Sequence, residues 1–105
     1  MTPEGKIKAR INKLLDSYEG HMYRYMPVPS GYGKQSVDYL VCVDGLFVGI
    51  EAKKPGERPT ARQDGVLEDI RAAGGSTFVV NDDASLEVLE RFLHDVIKWG
   101  YPDGR

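Results

Sequence analysis

Three stretches of the chain repeat apolar residues at the spacing of an amphipathic helix. The first begins at Thr2, and its apolar positions are Ile7, Ile11, Leu14, Leu15 and Tyr18. The second opens with a capping-box pair, Thr60 and Gln63, and extends to about Ala73. We expect its inward positions to be Val66, Leu67 and Ile70. The third ends near Gly100 and carries Leu86, Leu89, Phe92, Leu93, Val96 and Ile97.

Four runs rich in β-favouring residues separate these helices. The predicted strands cover Met22–Val28, Val37–Val43, Leu46–Lys53 and Ser76–Val80. Asp-Gly at positions 44–45 predicts a type I′ hairpin between the second and third strands. Two apolar runs flanking a helix indicate a parallel crossover to the fourth. The order α-β-β-β-α-β-α predicts a single α/β domain over residues 1–105, with a mixed sheet flanked by helices.

The two-residue turn also fixes which residues of the hairpin oppose each other. Counting outward from the turn, Asp38 faces Glu51 directly, and Lys53 points to the same side. The remaining residues of that side are Leu40, Cys42, Phe47 and Gly49. The opposite side is wholly apolar and carries Val37, Tyr39, Val41, Val43, Leu46, Val48, Ile50 and Ala52. We therefore expect a sheet covered on both sides, with charges clustered at one end.

Opposed carboxylates at Asp38 and Glu51 repel each other, and partial burial strengthens that repulsion. Mg²⁺ or Mn²⁺ would compensate, since these ions bind one or two carboxylates together with waters and phosphate oxygens. The backbone carbonyl of Ala52 is a further possible ligand. The ammonium of Lys53 could orient or deprotonate a metal-bound water, or stabilise charge developing at phosphorus. The alternative is that both acids are separately solvated and that Lys53 bridges them.

Composition narrows the class of protein. Hydrophobic residues make up 41% and charged residues 29%, as in a globular protein. Cys42 is the only cysteine, so we expect neither an internal disulfide nor a zinc cluster, and a reducing cytoplasm is the natural setting. We expect no membrane span and no signal peptide. Up to Arg62 there are ten Lys/Arg against seven Asp/Glu, whereas from Gln63 onward there are four against nine. The first half therefore suits a polyanion.

These residues resemble a known family. Asp38, the run Gly49-Ile50-Glu51-Ala52-Lys53 and the following Gln63 resemble the PD-(D/E)xK nuclease superfamily. More narrowly, the chain is similar to a stand-alone VRR-NUC domain, the kind found in bacteriophages and as the nuclease module of the Fanconi-associated nuclease. The resemblance runs from Glu4 to about Val80 and implies a restriction-endonuclease-like αβββαβ core. Val37 departs from the pattern, since the family often has proline there.

The resemblance implies roles for five residues. Asp38 and Glu51 would be metal ligands, Lys53 would work on the attacking water, and Gln63 would enter the site from its helix. Glu4 would be an additional acid beside the metal. Gln63 and Glu4 also have ordinary roles at helix starts, in a capping box and beside the positive end of the dipole.

The resemblance also implies partners. Stand-alone members resemble Holliday-junction resolvases and tend to be homodimers, which would place two active sites on branched DNA. The Ser30–Lys34 loop is then a candidate DNA-contacting flap, with Lys54, Arg58 and Arg62 on phosphates. The alternative is that these basic side chains form a solvated face.

The leading hypothesis is a Mg²⁺- or Mn²⁺-dependent DNA endonuclease that acts on branched or junction DNA, in the host cytoplasm if a phage encodes it. A second hypothesis is a non-catalytic DNA-binding module on a nuclease fold. A third is an assembly subunit that uses the final helix and the Trp99–Tyr101 end, which is compatible with a dimeric enzyme. A restriction-like or nicking enzyme that cuts ordinary duplex also fits the residues.

Overall fold

Seven elements follow the order expected from the hydrophobic pattern in a computed structural model that describes residues 1–28 and 36–100. They are α1 (Pro3–Asp16), β1 (Met22–Tyr25), β2 (Tyr39–Val43), β3 (Leu46–Ala52), α2 (Ala61–Ala72), β4 (Ser76–Val80) and α3 (Asp83–Trp99). The predicted α/β class is therefore confirmed. The first two strands are shorter than predicted, and β3 ends one residue before Lys53. No helix in the described ranges is long and apolar enough to span a bilayer.

Threonine side chains begin α1 and α2, as the sequence predicts. Thr2 accepts a hydrogen bond from the backbone N–H of Gly5 at the start of α1. At α2 the Thr60 hydroxyl accepts from Gln63 N, and the Gln63 side chain accepts from Thr60 N. These bonds satisfy backbone donors that have no partner within the first helical turn.

The sheet has the order β1-β2-β3-β4. Antiparallel pairing joins β1 to β2 and β2 to β3, whereas β3 and β4 are parallel and α2 connects them. The hairpin turn places Asp44 at φ 47° and Gly45 at φ 87°, the left-handed conformations that a type I′ turn requires. The predicted mixed sheet, hairpin and parallel crossover are thus confirmed.

One side of the sheet, the covered face, packs against α1 and α3. Ile11 of α1 and Leu89 and Leu93 of α3 lie against it and are fully buried. The buried strand residues of this face are Tyr39, Val41, Val43, Leu46, Val48, Ile50, Ala52 and Val80. Removal of so much apolar surface from water is the main source of stability for this domain.

The prediction that Val37 belongs to the covered face is wrong. An ideal Cβ on Gly49, which would point to the opposite face, lies 3.5 Å from Val37 Cγ2. Val37 is also buried outside the core cluster of the covered face. The reason is that β2 begins only at Tyr39, so strict alternation does not extend back to residue 37.

The second side, the site face, carries Tyr23, Leu40, Cys42, Phe47, Gly49 and Glu51. The expectation that it is covered like the first is wrong. Among the described elements, helix α2 packs mainly against β3 and β4 and buries Leu67, while Val66 and Ile70 are half-buried. Tyr23 is 73% exposed and Phe47 47% exposed. One helix is only about 10 Å across, so it cannot cover a four-stranded sheet whose strands lie about 4.8 Å apart.

Candidate active site

Asp38 lies where the pairing of the hairpin ends. The predicted register is confirmed from Val43↔Leu46 to Tyr39↔Ile50, one residue short of Asp38. There the side chain replaces the backbone, because Asp38 Oδ2 accepts a hydrogen bond of 2.8 Å from Ala52 N. The Asp38 carboxylate is thereby fixed beside the end of β3.

Glu51 is a buried acid with an unsatisfied oxygen. Its residue surface is 2% exposed, and Oε2 has no hydrogen-bond partner among the described residues. Burial, followed by hydrogen bonding and repulsion from Asp38, raises the pKa of Glu51 to about 9, despite the opposing charge of Lys53. The structure therefore brings Asp38 and Glu51 together, as the hairpin register predicts.

Lys53 lies two residues beyond Glu51 and is also largely buried, at 8% exposed. Its backbone N–H donates to the carbonyl of Val80, so the residue is held beside the end of β4. Its ammonium lies 3.9 Å from a carboxylate oxygen of Glu57. Its charge also acts on Glu51 by lowering the pKa of that acid. The ammonium is therefore positioned near the carboxyl groups of Glu51 and Glu57 rather than in bulk water.

Helix α1 contributes Glu4, a predicted site residue, and Lys8, which the sequence analysis missed. Lys8 Nζ lies 3.5 Å from Glu4 Oε2 and 3.5 Å from Asp38 Oδ1. The backbone carbonyl of Lys8 accepts from the hydroxyl of Tyr39, which ties the helix to β2. Burial lowers the pKa of Lys8, but the charges of Asp38 and Glu4 outweigh it and raise that pKa overall. The four-residue spacing of Glu4 and Lys8 predicts the ion pair between them, but it does not predict the contact between Lys8 and Asp38.

Gln63 is the predicted site residue that the structure places in its ordinary role. Its side-chain oxygen accepts from Thr60 N at 2.9 Å and closes the capping box. The hydrogen bonds of Gln63 that join described residues are those of the capping box. The expectation that Gln63 enters the active site from its helix stays a prediction.

The predicted DNA-contacting residues fall into two groups. Lys54, Arg58 and Arg62 are exposed, after β3 and at the start of α2. Lys54 Nζ lies 3.7 Å from Glu57 Oε2, so part of its charge is compensated locally. Ser30 and Lys34 lie outside the described residues, and Tyr101 does as well.

The groups that could hold a divalent cation at this site include two acids, Asp38 and Glu51, rather than three. Within residues 1–28 and 36–100, no three His, Cys, Asp or Glu side chains converge at metal-ligand spacing. Asp38 and Glu51 nevertheless offer carboxylate oxygens, including the unpartnered Oε2. The C=O and N–H of a strand residue point the same way, so the Ala52 carbonyl also faces Asp38. This set fits Mg²⁺ or Mn²⁺, which complete their shells with water.

Comparisons with known proteins add no family assignment. No protein-family model matches the chain, and no curated protein matches it significantly. The case for a function therefore depends on the geometry of Asp38, Glu51 and Lys53.

Proposed function

We propose that the chain is a Mg²⁺- or Mn²⁺-dependent endonuclease that hydrolyses phosphodiester bonds in DNA. It would be a stand-alone VRR-NUC domain of the PD-(D/E)xK superfamily, with the α/β elements forming a restriction-endonuclease-like core. The observed order of α1, β1, β2, β3, α2 and β4 supports this, because it is the αβββαβ order that the resemblance implies.

The state of Glu51 is the observation that carries the proposal. A solvated surface acid has no reason to be buried beside a second carboxylate with one oxygen unpartnered. An acid whose pKa is raised by burial and a specific neighbour, next to a buried lysine, is typical of a functional site. A bound divalent cation would remove both the repulsion and the unsatisfied oxygen.

The chain's own residues would divide the chemistry. Asp38 and Glu51 would hold the cation, with the Ala52 carbonyl as a third oxygen. The cation would supply Lewis-acid polarisation of the phosphoryl oxygens and would lower the pKa of a water molecule. Lys53 would orient the attacking water and stabilise the negative charge that develops at phosphorus, since its ammonium is held in a largely dry site.

DNA would approach from the side on which Lys54, Arg58 and Arg62 are exposed. Their charges would contact phosphates and position the strand rather than read its sequence. We further propose a homodimer that acts on branched DNA of the Holliday-junction kind in the cytoplasm, which is the host cytoplasm if a phage encodes the chain.

Cleavage of a panel of substrates tests the proposal. Supercoiled plasmid, duplex, single strand, flap and four-way junction are incubated with Mg²⁺, with Mn²⁺ and with EDTA. We expect metal-dependent cleavage by the wild type and its loss in Lys53→Ala, with Lys13→Ala as the control because Lys13 is an exposed lysine in the last turn of α1. Absence of metal-dependent cleavage, or undiminished cleavage by Lys53→Ala, would contradict the proposal.

One observation favours a second candidate, a non-catalytic DNA-binding module. Lys8 already neutralises Glu4 and Asp38 in part, so these two acids have a cation partner without any metal. A module of this kind would bind DNA with the same affinity in Mn²⁺ and in EDTA. The endonuclease would instead bind Mn²⁺ and lose that binding in Glu51→Gln.

A further inference from the structure

The ammonium of Lys8 lies beside Asp38, one of the two acids proposed to bind the metal ion. It contacts Asp38 Oδ1 at 3.5 Å, on the carboxylate whose other oxygen is used by Ala52 N. It contacts Glu4 at the same distance, so one positive charge lies between two acids. The Lys8 side chain is 35% exposed, which leaves room for the ammonium to move toward solvent.

The structural value of this contact is small. Half-exposed ion pairs contribute little to folding, because water screens them and the side chains lose freedom. A divalent cation bound to Asp38, in contrast, would lie close to the positive charge of Lys8. Two cations a few ångströms apart repel each other in a partly dry site.

We propose that Lys8 is a built-in competitor of the divalent cation: its ammonium neutralises Asp38 and Glu4 in the metal-free protein and must leave Asp38 when the cation binds. The lysine thereby weakens metal affinity and lets the acids remain together without metal. This inference rests on the proposed function, since it concerns the same carboxylates.

Removal of the lysine charge therefore has two opposite consequences. Without metal, Asp38 and Glu4 lose their shared cation, and the repulsion between these two carboxylates is no longer compensated. With metal, the competing charge is gone and the carboxylate is free. A residue with a merely structural role would give the first consequence and not the second.

Titration of Mn²⁺ by calorimetry into the full chain tests the inference, with Lys8→Met and Lys8→Gln as two neutral variants. Lys8→Arg keeps the charge. Lys6→Met is the matched control, because Lys6 is exposed on the same helix and two residues away, which places it on the opposite side. Circular dichroism shows that each variant is folded.

We expect both neutral variants to bind Mn²⁺ about fivefold to tenfold more tightly than the wild type. Lys8→Arg and Lys6→Met should match the wild type, and melting in EDTA should be lowest for the neutral Lys8 variants. Unchanged or weaker Mn²⁺ binding by both neutral variants, with the wild type still binding, would overturn the inference and leave the proposed function intact. A wild type and variants that all fail to bind Mn²⁺ would overturn the proposed function and the inference with it.

Discussion

On the covered face of the sheet, the residues of β2 and β3 that point inward are apolar and buried under α1 and α3. On the site face, the same two strands present Leu40, Cys42, Phe47 and the buried acid Glu51. Ile50 and Glu51 are consecutive residues, and both are nearly inaccessible to solvent. Burial of the Ile50 side chain stabilises the fold, whereas burial of the Glu51 carboxyl group destabilises it.

This contrast shows how a small domain can tolerate a costly group. The covered face supplies enough buried apolar area for the fold to survive one acid whose charge is unfavourable there. The acid lies at the end of the hairpin, where pairing stops and Asp38 holds Ala52 N by its side chain. Variants on the covered face should therefore affect stability, and variants at the end of the site face should affect cleavage.

The largest effect should come from Glu51→Gln. We expect metal-dependent cleavage to fall by at least roughly a hundredfold, because the amide is a poor ligand for a hard cation and carries no charge. Stability in EDTA should be unchanged or higher, since the variant removes a carboxylate that folding places in a dry site. Single-turnover cleavage and thermal melting measure the two effects. Glu19→Gln, on an exposed residue, is the control, and comparable losses in both variants would contradict the prediction.

The next largest effect should come from Ile50→Ala, on the neighbouring residue of the covered face. Loss of a fully buried isoleucine leaves a cavity and should cost about 2–5 kcal/mol of unfolding free energy. Urea denaturation measures it. Folded protein that remains at low temperature should still bind Mn²⁺, because the Ile50 side chain packs in the core on the covered face and Glu51 points to the opposite face. A loss below about 1 kcal/mol would show that the covered face is not the main core.

The two faces also differ in how far the sequence predicts them. Turn chemistry at Asp44-Gly45 and strict alternation are local signals, and they give the register correctly up to Tyr39. They fail at Val37 because the Asp38 side chain competes with the backbone for Ala52 N. That competition is a tertiary contact between residues fourteen apart, and alternation carries no information about it.

The candidate site shows the same division. The hairpin register predicts that Asp38 and Glu51 lie close together, although the backbone pairing itself stops at Tyr39 and the Asp38 side chain bonds Ala52 N beyond it. Lys8 reaches Asp38 only through the packing of α1 across the end of the sheet, which no local pattern specifies. The incomplete cover of the site face is likewise a tertiary property, because the sequence of the strands does not predict which of them α2 packs against.

A third prediction concerns pH. The pKa of Glu51 is raised from 4.5 to about 9, so the folded metal-free protein binds more protons than the unfolded chain between these values. The unfolding free energy should therefore fall as pH rises through this window, by at most about 1.4 kcal/mol per pH unit. Melting temperatures in EDTA from pH 5 to pH 8.5 measure it. Glu51→Gln should show a shallower slope, and equal slopes would contradict the assignment of the shift to Glu51.

The smallest effect should come from Cys42→Ala, on an exposed residue of the site face. It adjoins Val41 and Val43, which are buried on the covered face, and it lies away from the acids. We expect a change in unfolding free energy within about 0.5 kcal/mol and full cleavage activity. Urea denaturation compares it with Val41→Ala, which should cost at least about 1 kcal/mol. Equal losses would mean that both faces are equally packed.

The most direct measurement is the anomalous diffraction of crystals soaked in Mn²⁺. We predict a peak bonded to an oxygen of Asp38 and an oxygen of Glu51, at about 2.0–2.2 Å, with the Lys8 ammonium displaced from Asp38. Carboxylates that remain in place with no peak between them, at Mn²⁺ concentrations that support cleavage, would contradict the claim that these two acids form the metal site.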